Sequence, residues 1–319
     1  MRKRIACFFL LFLLISLNAC TNSIASLNIT AQQNLALFEQ KTSLPINVAS
    51  AQRIFSKWDL WSGGKTQLRG ANIWQSLIIP SIDGDFKGDG RVGPPYSQED
   101  FDQLAALGAN YLVLSVPGVF TEKPPYQIDS AVLQNLDDLL ARALKADLFV
   151  TIAFRTGPGR AEWSLCCYGE SDYKGYFNDK VWTDAVAQQA WADMWQTVAK
   201  RYRDHPEVAG YELMVEPDGE DILLGIWNPE DFYPKYENTL YDWNQFYPKI
   251  VDAIRQVDQD TPIIVGGASY SSIQWLPYLK FLPDQKIIYD IHQYDPNETY
   301  THQQASGRNS YPGNIDVDG

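Results

Sequence analysis

The stretch Val208-Ala209-Gly210-Tyr211-Glu212-Leu213-Met214-Val215-Glu216-Pro217 reads as a buried strand that ends at a carboxylate. Proline cannot donate to a sheet ladder, so the strand stops at Pro217 and Glu216 sits at its tip. In a β/α barrel the C-terminal strand tips carry the chemistry. Glu216 is therefore a candidate catalytic group rather than a solvated surface charge, provided the rest of the chain is a barrel. Glu212 points to the same side of the strand but about 13 Å deeper, at roughly 3.3 Å per residue. That depth predicts a structural or buried-network role for it rather than that of the acid.

Outward from this stretch, strand-like and helix-like segments alternate. Short apolar runs at residues 68–74, 111–116, 148–154, 208–215, 262–265 and 287–292 read as strands buried on both faces. Ser97-Gln98-Glu99-Asp100 is a capped helix start and Gly108 a stop. Val132, Leu133, Leu136, Leu139, Leu140 and Leu144 form a helical stripe. A third helix is expected over residues 182–202, with Val186, Ala190, Met194 and Val198 on one face. A fourth is expected over residues 241–257, kinked or restarted at Pro248, and a shorter helical segment over residues 273–281. Alternation of this kind implies a parallel sheet with right-handed crossovers. No Gly-rich phosphate loop follows the first strand, because Gly70-Ala71-Asn72 lies inside it. Polar and aromatic residues instead follow several different strand ends. The expected fold is α/β, a (β/α)8 TIM barrel of which about six units are present.

The chain carries 26 Lys and Arg against 39 Asp and Glu, a net charge of −13. Such a chain repels phosphate backbones, so no nucleic acid partner is expected. With 10 Trp, 18 Tyr and 14 Phe it is rich in aromatic faces, which suit a neutral sugar. Residues 1–19 read as an export signal, with Arg2-Lys3-Arg4 before an apolar run too short to span a membrane. Leu17-Asn18-Ala19-Cys20 resembles a bacterial lipobox, which implies lipidation at Cys20, a membrane anchor and, with Thr21 next, an outer-membrane or surface location. Residues 20–60 read as a tether and packing segment, and residues 61–319 as the barrel. Cys166 and Cys167 are adjacent, at a Cα spacing of about 3.8 Å, where a bridge would distort the backbone. No His, Cys and Asp cluster has ligand spacing in sequence, so neither a metal nor a cofactor is expected.

Residues 201–217 resemble the fourth-strand region of glycoside hydrolase family 5. Residues 254–267 are similar to its helix-to-fifth-strand join, Tyr289-Asp290-Ile291-His292-Gln293-Tyr294-Asp295-Pro296 to its sixth strand, and Leu68-Arg69-Gly70-Ala71-Asn72 to its first. Tyr300-Thr301-His302-Gln303 and Tyr311-Pro312-Gly313 look like the loop after the sixth strand. The resemblance spans residues 68–313 and implies a barrel that cleaves β-linked polysaccharide with retention. Such enzymes use two carboxyl groups about 5 Å apart. By resemblance Glu216 is the acid/base, His292 lines the cleavage subsites, and Tyr294 holds the nucleophile. His302 is a candidate rim residue. Trp163, between Glu162 and Ser164, is the best candidate sugar-stacking residue among the loop aromatics.

The chain departs from the family at three points. Val215 stands where the family has an Asn that binds the sugar. The second strand lacks the usual Arg near Val113, and Arg155 at the third strand tip is the proposed substitute. The seventh-strand nucleophile has no counterpart, since none of Asp295, Glu298 and Asp316 matches its motif. The expectation is a piece of a longer hydrolase that lacks strands seven and eight and is inactive alone. The alternative is a non-catalytic, lipid-anchored glycan-binding protein on a degenerate barrel.

Overall fold

A computed structural model of the chain describes residues 56–62, 64, 66–83, 87–162, 164 and 175–292. All of them belong to the compact unit Asn47–Gly319. Six strands form one sheet: β1 (Gly70–Trp74), β2 (Tyr111–Pro117), β3 (Phe149–Thr156), β4 (Val208–Glu212), β5 (Ile263–Gly266) and β6 (Ile287–Asp290). Every neighbouring pair is parallel, and the order in space is the order in the chain. A doubly wound sheet reverses its order at a switch point, whereas this sheet never does. That is barrel winding, and the fold is α/β of the TIM-barrel type. Residues along β3 and β4 are almost all buried, as expected where both faces are covered.

Helices α1 (Gln98–Ala106), α2 (Ser130–Lys145) and α3 (Ala185–Tyr202) follow β1, β2 and β3. Ser97 and Asp100 close a capping box on α1, and the Asp129 and Asp184 side chains cap α2 and α3. After β4 come two short helices, α4 (Gly219–Leu224) and α5 (Pro229–Tyr236), and then α6 (Trp243–Arg255). The expected helix faces need small corrections. On α3 the buried stripe is Ala187, Ala190, Trp191, Met194, Trp195, Val198 and Tyr202, and Val186 falls off it, 65% exposed. On α2, Leu144 likewise falls beside Val132, Leu136, Leu139, Leu140 and Ala143. Helix α6 runs unbroken through Pro248. The expected segment at 273–281 is only a 3-10 turn at Leu276–Tyr278, preceded by a left-handed turn.

The N-terminal ends of the strands are closed by residues 57–62. Trp61 Nε1 donates to the Ala209 carbonyl at 3.0 Å, and its ring meets Tyr111 edge-on. Lys57 Nζ reaches Thr261 Oγ1 at 3.1 Å. The opposite, C-terminal end is left to the loops.

Trp195 joins α3 to this sheet. It is fully buried, packs on Phe154 at 4.5 Å and donates from Nε1 to the Leu213 carbonyl at 2.8 Å. Trp195→Ala is expected to cost about 3–5 kcal/mol, read as a fall in the denaturant midpoint of unfolding.

Candidate active site

The strand β4 ends at Glu212, earlier than Pro217 alone requires. Residues 213–216 leave the ladder but keep partners. The Leu213 and Val215 amides donate to the Ile264 and Phe154 carbonyls at 3.2 and 3.0 Å. The Leu213 carbonyl accepts two indole N–H groups, from Trp191 at 3.1 Å and Trp195 at 2.8 Å. Glu216 then turns left-handed, with φ 52°. A non-glycine residue there costs on the order of 1–3 kcal/mol and persists only where its surroundings enforce it.

Arg160 supplies that enforcement. Its side chain is 1% exposed. Nη1 donates to the Arg155 and Val215 carbonyls at 3.0 and 2.7 Å. Nη2 donates to the Glu216 carbonyl at 2.6 Å and to Asp218 Oδ2 at 2.8 Å. Asp218 is fixed in turn by Trp182 Nε1 at 3.2 Å. The guanidinium fork thus ties the backbone on both sides of Glu216 to the loop after β3. Arg160 was missed in the sequence, where its only local signal was the tight turn Gly157-Pro158-Gly159 before it. Gly159 has φ 74°, and a Cβ there would stand 2.6 Å from the Val181 nitrogen.

A second left-handed turn holds the other side of the site. Ser269, Tyr270 and Ser271 have φ of 53°, 60° and 60°. The Tyr270 amide donates to the Pro217 carbonyl, and the His292 amide donates to the Ser271 carbonyl, at 3.0 and 2.9 Å. Gly266 makes this possible, because a Cβ there would lie 2.1 Å from Ser271 Oγ. The turn therefore ties the tip of β4 to the tip of β6.

Across this frame Glu216 Oε1 lies 2.8 Å from His292 Nδ1, and His292 Nε2 lies 3.4 Å from Asp290 Oδ2. Burial lowers the affinity of His292 for its proton, but its bonds to Asp290 and Glu216 outweigh this and raise its pKa to about 10. Glu212 is also here, buried and part of this network, the place the sequence led one to expect. One polar atom from each of Glu212, Asp290 and His292 lies within 4.8 Å of the others. Burial, reinforced by Asp290, pushes the Glu212 carboxyl up to about 8. The spacing of these three groups could admit a metal ion. However, His292 already shares its protons with two carboxylates, and that accounts for the cluster without one.

The remaining expected residues fare differently. Arg155 stands at the tip of β3, but Glu162 neutralises it through Nη2 at 2.8 Å and Nε at 3.1 Å. The Trp74 ring lies 6.0 Å from the guanidinium, and its Nε1 also donates to Glu162 at 3.3 Å. Arg155 is thus part of a closed cluster rather than a free cation. Glu162 and Ser164 are both buried. Val215 is 4% exposed and brings no side-chain hydrogen bond to the site. Trp163, Tyr294, His302, Cys20 and the Cys166–Cys167 pair lie outside the described residues.

A carboxylate–imidazole–carboxylate chain thus stands at the C-terminal tips of a parallel β/α sheet, where barrel enzymes place their chemistry. The chain belongs to glycosyl hydrolase family 5, whose cellulase model matches residues 63–316. It is 25% identical over 214 residues to endoglucanase C of Acetivibrio thermocellus, covering 66% of this chain and 53% of that one. It is 31% identical over 136 residues to endoglucanase 3 of Fibrobacter succinogenes, covering 42% of this chain and 18% of that one. It thus spans about half the length of the first of these relatives, or less. Among solved structures, endoglucanase Cel5A of Thermotoga maritima superposes with a TM-score of 0.52 at 24% identity, covering 75% of this chain and 64% of that one. The Pseudomonas stutzeri Cel5A gives 0.51 at 23% identity, covering 76% of this chain and 66% of that one.

The raised Glu212 carboxyl makes stability depend on pH. It keeps its proton in the folded state up to about 8 but loses it near 4.5 when unfolded. Stability therefore falls as pH rises through that window. Glu212→Gln is expected to flatten the fall between pH 4.5 and 6.5. The loss due to His292, which lies between 6.5 and about 10, should persist but shrink, because the Glu212 charge helps to raise that pKa alongside Asp290 and Glu216. Urea unfolding across pH measures both.

Proposed function

We propose that this chain carries the acid/base half of a retaining, endo-acting β-glycanase site, with Glu216 as the proton donor. The observation that carries the reading is the Glu216–His292 contact of 2.8 Å, at a strand tip whose backbone is locked from both sides. Double displacement needs Glu216 to give a proton to the glycosidic oxygen and then to take one from water. His292 can hold a positive charge beside Glu216 and stabilise its ionised form in the second step. Glucan and mannan are the favoured substrates. The two relatives named above are endoglucanases, and the Thermotoga maritima enzyme has been solved with cellobiose and with mannotriose. The reading assigns the nucleophile to none of the described carboxylates. Turnover therefore needs a second carboxylate from outside the described residues.

The test is hydrolysis of cellulose, mixed-linkage glucan and mannan by the full-length protein. Glu216→Gln should lower kcat/KM on polysaccharide by about 10²–10⁴. The loss should be smaller on an aryl glycoside whose leaving group needs no proton. Full activity of the variant on polysaccharide would sink the assignment. The competing reading, a non-catalytic glycan-binding protein, is favoured by one observation, the apolar Val215 beside Glu216. Binding without hydrolysis by the full-length protein would select it.

We place the protein at the membrane through a lipid on Cys20, on the strength of the leader and the Leu17-Asn18-Ala19-Cys20 motif. Metabolic labelling with a fatty acid should mark the wild type and not Cys20→Ser, which should appear in the soluble fraction.

A further inference from the structure

The left-handed turn at Ser269–Ser271 is tied by a side chain to the helix that follows the acid/base. The Tyr270 hydroxyl donates to Asp221 Oδ2 at 2.7 Å. Asp221 belongs to α4, which begins just after Glu216. The Tyr270 ring also faces Trp227, with centroids 6.4 Å apart. Trp227 is the one exposed tryptophan among the described residues, at 62%. From the same helix Glu220, 1% exposed, brings its carboxyl to the Ser269 amide. Burial, helped by the Asp218 charge, pushes that carboxyl well above its ordinary range, so it meets the turn as a neutral acid.

The turn needs such a hold. Ser269, Tyr270 and Ser271 are three successive non-glycine residues with positive φ, a conformation kept only where the surroundings enforce it. A hydroxyl donating to a carboxylate is among the stronger hydrogen bonds available for this. The contacts then close into a ring. The chain runs from Glu216 into α4, and Asp221 grips Tyr270. The next residue, Ser271, offers its carbonyl to the His292 amide at 2.9 Å, and His292 Nδ1 returns to Glu216 Oε1 at 2.8 Å. Without the Asp221–Tyr270 bond the turn can relax. The His292 amide then loses its fixed acceptor, and the imidazole its fixed distance from Glu216.

We infer that Asp221 and Tyr270 are positioning residues for the proton-transfer step, acting through the turn to hold His292 against Glu216. This rests on Glu216 being the acid/base. Small misplacements of a proton-transfer group are costly in rate. An interaction that serves the transition state rather than sugar binding shows in kcat and not in KM.

The test compares Tyr270→Phe with the parent full-length protein on whichever β-glycan the parent hydrolyses best. The variant keeps the ring beside Trp227 and removes only the hydroxyl. Its kcat should fall about tenfold while KM stays within about twofold. Asp221→Ala should do the same, and the two changes together should be no worse than either alone. Asp221→Asn, which keeps an acceptor oxygen, should recover part of the loss. The second readout is proton NMR of His292, one of three histidines in the chain. Burial lowers its pKa, and Asp290, Glu216 and Glu212 together raise it to about 10. In Tyr270→Phe the His292 titration should move to a pH lower by about 1, as its contact with Glu216 loosens. Unchanged kcat in Tyr270→Phe overturns the positioning role and leaves the catalytic reading standing. A fall in kcat with the His292 titration unmoved also overturns it, because the hydroxyl is then merely structural. Full activity of Glu216→Gln, or hydrolysis of no β-glycan by the parent, overturns the catalytic reading and the positioning role together.

Discussion

The buried guanidinium of Arg160 is the interaction on which the site depends. Past Glu212 the backbone has left the sheet, yet it runs through the interior, where an unpaired carbonyl is costly. One planar cation meets the carbonyls of Arg155, Val215 and Glu216 and the carboxylate of Asp218. A lysine could not do this, because a point charge has no fork with which to fix several acceptors at once. The charge is fully desolvated, so its value lies in the single backbone path it selects as much as in stability.

That path is a left-handed one, and the same device recurs on the far side of the site. Glu216 and the run Ser269–Ser271 all have positive φ. The two turns are joined through the Tyr270 amide and the Pro217 carbonyl, and the second turn holds the His292 amide. Glu216 and His292, distant in sequence, thus meet through backbone bonds as well as through their own side chains. Strain kept in this way sits where pre-organisation matters, because a proton donor must face its acceptor without searching.

Much of the architecture was legible in order and spacing. The short apolar runs locate all six strands, and the absence of a phosphate loop with signals at several strand ends points to a barrel. Errors arose where a one-dimensional pattern meets a three-dimensional boundary. Val186 shares its spacing with Met194 but starts the helix beside the buried stripe. Glu212 belongs to a buried network, as expected, but that His292 is the group it shares with Glu216 could not be read from spacing. Arg155 has the right address for a substrate cation, but Glu162, seven residues on, already neutralises it.

By itself the sequence determined the element order, the strand tip that bears Glu216 and the aromatic supply of the loops. These follow from local rules: strand burial, proline's missing donor and helix capping. Only the tertiary structure decided which carboxylates share His292, that Arg160 holds the acid/base turn, and which tryptophan stays exposed. Those are properties of contacts between residues tens of positions apart, and neither spacing nor composition encodes them.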